Sequence, residues 1–133
     1  MKKEDFYTLP KACEGVEFPL ERDGKPSGHW LRIRGTDSEQ FRKARFDGSR
    51  VLRDLPPDIN DWDRGIVMDG VVLDSLAALV ADWSFDEPCT PEAVREFLKN
   101  APQVAESVDR AANDRARFFG AGSKSSKGTR KQS

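Results

Sequence analysis

One apolar stripe constrains this chain more than any other feature. Trp62, Ile66, Val72, Leu73, Leu76, Leu79, Val80 and Trp83 recur at spacings of three and four, the period of one helix face. Pro56-Pro57 lies just upstream and ends whatever precedes it, because neither ring has an N–H to donate. Asp58 or Asn60 can cap the start, so the pattern predicts a helix over about 59–83. Gly65 and Gly70 weaken its first half by about 1 kcal/mol each relative to alanine. A face this wide and apolar predicts a helix in the middle of a bundle.

The remaining elements fall on either side of it. Val16, Phe18 and Leu20 alternate with polar residues or proline, and so do Leu31 and Ile33. Asp23-Gly24-Lys25-Pro26-Ser27-Gly28 separates them, which predicts a β-hairpin with strands near 15–22 and 29–35. Pro19 places the first strand at an edge. Residues 1–14 show no period. Thr36 and Glu39 have capping-box spacing and open a helix over about 37–54, which Asp47-Gly48 either ends or kinks. Thr90-Pro91-Glu92 starts a helix over about 91–101, with an N-cap oxygen, a proline in the first turn and an acid at the positive dipole end. Pro102 breaks it, and a last helix is expected over about 103–119. The layout is α+β and mostly helical: an N-terminal hairpin, then about four helices in one domain, residues 1–119.

The chain has 133 residues and a net charge of −1, with 34% charged and only 37% hydrophobic residues. The core is therefore small. The near-neutral total conceals two parts: residues 120–133 carry Lys124, Lys127, Arg130 and Lys131 and no acid, which leaves −5 for residues 1–119. The basic segment is expected to be a disordered tail, since it has almost no apolar side chain to offset its ordering entropy. A body of this charge does not hold nucleic acid by its overall field. No run approaches the roughly 20 apolar residues of a membrane span. The start MKKEDFYTL lacks the apolar core of a signal peptide. Cys13 and Cys89 have neither redox nor zinc spacing, and two free thiols in a reducing cytoplasm are expected.

No constellation for catalysis is found. His29 is the single histidine and has no partner residues in sequence that complete a set. Nucleophile-elbow and phosphate-loop patterns are absent. The acids around Asp58, Asp61 and Asp63 fail the calcium-loop spacing in both registers and read as a helix start. No catalytic residue, cofactor or metal site is expected. Trp30 with Arg32 and Arg34 is the one cluster of the kind that binds nucleic acid. Trp83, Phe118 and Phe119 are the apolar candidates for partner contact, and Lys124, Lys127, Arg130 and Lys131 the basic ones. Phe118 and Phe119 would point about 100° apart on a helix, so one of them is a candidate exposed anchor.

Four pieces taken in order resemble the tail assembly chaperones of long-tailed bacteriophages. They are the strand and turn His29–Arg42 (HWLRIRGTDSEQFR), the segment Val80-Ala81-Asp82-Trp83, the helix Glu92–Leu98, and the run Val108–Phe119 (VDRAANDRARFF). The resemblance covers about residues 15–119. It implies a non-enzymatic protein that binds the tape measure protein, keeps it soluble and helps recruit tail tube subunits. It also implies action in the host cytoplasm and absence from the finished virion. In that family a ribosomal frameshift often makes a longer second product. The residues also admit a structural virion component, such as a tail-completion or head–tail joining subunit, or a small nucleic-acid-binding regulator.

Overall fold

The computed structural model describes residues 1–120. The expected tail, with Lys124, Lys127, Arg130 and Lys131, lies outside them. The elements run α1 (Leu9–Glu14), β1 (Val16–Arg22), β2 (Lys25–Ile33), α2 (Glu39–Arg53), α3 (Asp61–Ala77), β3 (Val80–Trp83), α4 (Pro91–Asn100) and α5 (Pro102–Asn113). Two short 3-10 turns, Lys3–Phe6 and Arg115–Phe118, flank this series.

The hairpin forms around a two-residue turn. Asp23 and Gly24 both have positive φ, 56° and 76°, the conformation in which an Asp-Gly pair joins twisted strands. β2 therefore starts at Lys25, four residues before the expected position, and Pro26-Ser27-Gly28 belongs to the strand. Val16 pairs with Ile33 and Phe18 with Leu31. The sheet order is β1-β2-β3, so β1 is an edge, where Pro19 is tolerated.

The expected helix over 59–83 needs correction. α3 stops at Ala77 with Ala78 as its C-cap, and the chain re-enters as β3. Leu31 pairs with Trp83 and Ile33 with Val80, antiparallel. The physical reason is the second side of β2. Leu31 and Ile33 are buried, and the backbone groups beside them need partners that water cannot supply. Val80–Trp83 supplies them, extended by Arg34 N–H to Leu79 O at 2.6 Å and Ser84 N–H to Trp30 O at 3.1 Å.

α2 spans the expected interval, but its details differ. Its cap is Ser38, whose hydroxyl oxygen accepts from the Phe41 N–H, rather than Thr36. Gly48 does not end the helix. A Cβ there would sit 2.5 Å from Val71 Cγ1, so glycine lets α2 and α3 approach closely. Asn60 caps α3 by accepting from the Asp63 N–H at 2.8 Å. The last expected helix also ends early: α5 stops at Asn113 and a 3-10 turn carries the chain to Phe118.

One core cluster joins the sheet to the helices. Leu31, Ile33, Leu79, Val80 and Trp83 pack with Val94 and Leu98 of α4 and Val108, Ala111 and Ala112 of α5. α2 contributes Phe41 and α3 contributes Ala77 to it. Ala12 and Phe118 are buried apart from this cluster.

Candidate partner-binding surfaces

α3 is packed over only part of its length. Its C-terminal half meets α4, where Arg95 Nε donates to Asp74 Oδ1 at 2.6 Å. Arg95 reaches as far as Gly70. α2 packs on α3 near Val71, where Gly48 lets the two helices approach, and two apolar rows of α3 stay open. Trp62 is 77% exposed and Ile66, one turn on, 53%. Met68 and Val72, also one turn apart, are 48% and 53% exposed. Phe46 and Val51 add exposed apolar side chains on α2. The central position expected for this helix therefore holds only for its second half. Its neighbours in sequence are charged: Asp61, Asp63, Arg64 and Asp69 on α3, and Arg42, Lys43, Arg45, Arg50 and Arg53 on α2.

The expected apolar contacts at the other end are mostly internal. Trp83 is buried, and its indole N–H donates to the Glu87 carbonyl at 2.9 Å. Phe118 is 1% exposed, its ring set against Gly35 close to Ala12. Both side chains are therefore buried in this conformation rather than standing out from the surface. The helix ends before the Phe118-Phe119 pair, so a 3-10 turn aims Phe118 inward and leaves Phe119 half-buried.

That turn is strapped to the hairpin region. Arg115 Nε and Nη2 donate to the two oxygens of Asp37 at 2.6 and 2.8 Å. The Arg117 guanidinium lies over the Phe18 ring, 5.3 Å from its centroid. The hydrogen bond from Arg115 holds the Asp37 carboxyl below the usual carboxylate range. Its contribution to stability is present above the unfolded pKa of about 3.9 and is lost as pH falls through the lower folded value. Asp37→Asn is therefore expected to lower the urea midpoint at neutral pH. The difference from wild type should shrink as pH falls below that unfolded value and through the lower folded one.

Arg32 and Arg34 do not form an open basic face. Arg32 pairs with Glu17 at 3.6 Å and donates to the Gly15 carbonyl at 3.3 Å. Arg34 donates to the carbonyls of Cys13 and Ala78 at 3.3 and 3.0 Å, and burial pushes its pKa down. Both guanidiniums are engaged within the fold. Cys13 and Cys89 are free thiols; burial pushes Cys89 up. His29 Nδ1 lies 3.1 Å from the Ser84 hydroxyl. Among the described residues no group of three or more His, Cys, Asp or Glu is placed to hold a metal ion. No helix among them is long and apolar enough to cross a membrane.

Sequence reasoning did not single out Phe85. It stands 5.3 Å from Trp83 and 5.2 Å from Phe97, centroid to centroid. These rings wall a cleft of about 580 Å³ between the β3–α4 loop and α4. Phe97 stands at helical spacing from Val94, but Phe85, Asp86 and Glu87 belong to a loop without period. Comparison with protein-family models, curated proteins and solved structures finds no match.

Proposed function

We propose that this protein is a tail assembly chaperone of a long-tailed bacteriophage. It binds the tape measure protein through the open apolar rows of α3, keeps it soluble and helps recruit tail tube subunits. The observation that carries the reading is the pair of exposed apolar rows, Trp62–Ile66 and Met68–Val72, on a helix flanked by charge. A tape measure protein, as the resemblance implies, is long, helical and aggregation-prone before the tube encloses it. An amphipathic helix docks its apolar face on such a surface through anchors one turn apart. Further burial of each half-exposed side chain contributes roughly 1 kcal/mol or more. The charged frame keeps the carrier itself in solution.

The chaperone works in the host cytoplasm and leaves before the particle is complete. No cofactor, metal or catalytic residue takes part. The test is co-expression with the tape measure protein of the same phage. The soluble fraction of that protein is expected to rise and the two to co-purify. Unchanged solubility would overturn the reading. Recovery of the chain at fixed copy number in purified particles would make it a structural subunit instead.

A further inference from the structure

The cleft beside Trp83 has a chemistry distinct from the α3 face. Trp83, Phe85 and Phe97 meet edge to face, with interplanar angles of 75°, 89° and 66°. All of its charged lining is acidic: Asp86, Glu87 and Glu96. Among the described residues Asp86 and Glu87 take part in no ion pair. The Glu96 carboxylate accepts from the Asn100 amide at 3.0 Å. Trp83 and the Glu87 carbonyl pin the loop to the ring wall, so the cleft is formed before any ligand arrives and little ordering cost remains.

Ring faces are electron-rich and attract a cation set over them. Carboxylates at the rim add to the same field. A guanidinium fits both, because its plane stacks on a ring while its fork bonds a carboxylate. We propose that this cleft binds a basic peptide segment of a partner protein, with one arginine side chain seated against Phe97 and held by Asp86 and Glu96; the Phe85 ring is backed by His29, 4.7 Å away between ring centroids. The site is separate from the open rows of α3 and stands whatever protein those rows carry.

The probe is an acetylated, amidated Gly-Arg-Gly-Arg-Gly peptide titrated into the full-length, isotope-labelled protein. The readouts are the Trp83 indole N–H and the backbone amides of 85–87 and 96–100. The arginine peptide is expected to give saturable shifts that weaken as salt rises from about 0.05 to 0.5 M. The same peptide with glutamine in place of arginine should give none. The double substitution Asp86→Asn with Glu96→Gln, both at exposed positions, should keep the fold and weaken binding about fivefold or more. Equal shifts with the glutamine peptide, or unchanged affinity in the double variant, would overturn the proposal. A full-length variant with Lys124, Lys127, Arg130 and Lys131 all changed to glutamine checks the chain's own basic segment. If that variant shifts the Trp83 signal before any peptide is added, the occupant is intramolecular and the partner assignment fails.

Discussion

Phe118→Ala is expected to destabilise the domain by about 3–5 kcal/mol, the usual cost of emptying a buried phenylalanine site. For a domain whose total stability is about 5–15 kcal/mol, that is a large fraction. Phe118 is 1% exposed and sits apart from the main cluster, against Gly35 and near Ala12. Few neighbours can collapse into the space it leaves. Gly35 N–H bonds the Ala12 carbonyl and Thr36 N–H bonds the Ala112 carbonyl, at 2.9 and 3.0 Å, so the backbone around the ring is held in place. Phe119 is half-buried, and Phe119→Ala should cost much less. Urea unfolding of the two variants side by side checks this. Equal losses would mean that Phe118 is not the plug between α1 and the turn after β2.

The second large effect concerns binding rather than folding. Trp62→Gln with Ile66→Gln replaces one exposed apolar row by a good helix former. Stability should stay within about 0.5 kcal/mol of wild type, as for surface changes in general. Affinity for the tape measure protein should fall by about 3 kcal/mol, roughly 100-fold, if both side chains are buried in the complex. Unfolding curves measured beside a binding titration separate the two quantities. A folded variant with full affinity would remove α3 from the binding surface.

Much of the fold was legible because local chemistry set it. Thr90 and Pro91 mark the start of α4, and the Thr90 hydroxyl does accept from the Ala93 N–H. Ser38 and Asn60 cap α2 and α3 within two residues of the expected starts. β3 was not legible, because Val80 and Trp83 fit helical spacing as well as strand alternation, and four residues hold too little alternation to decide. What decides is β2, nearly fifty residues upstream in the chain, whose open side needs a partner. α1 is six residues long, too short to show a period.

The site was legible in its residues but not in its exposure. Periodicity marks Trp62 and Ile66 as apolar but says nothing of what covers them. Trp62, Ile66, Met68 and Val72 stay about half or more exposed while Ala77 on the same helix is buried, a difference set by which neighbours the fold brings to each turn. The same limit applied to Trp83 and Phe118, which read as equal candidates and are buried by contacts remote in sequence. The aromatic cleft depends on Phe85, a loop residue placed by the return of β3.

The most direct test of the α3 assignment is amide hydrogen exchange on the purified complex with the tape measure protein, compared with the free chain. Slower exchange is expected across residues 61–72, where α3 carries the open apolar rows. Exchange there that is unchanged by the partner, with protection gained only elsewhere, would contradict it.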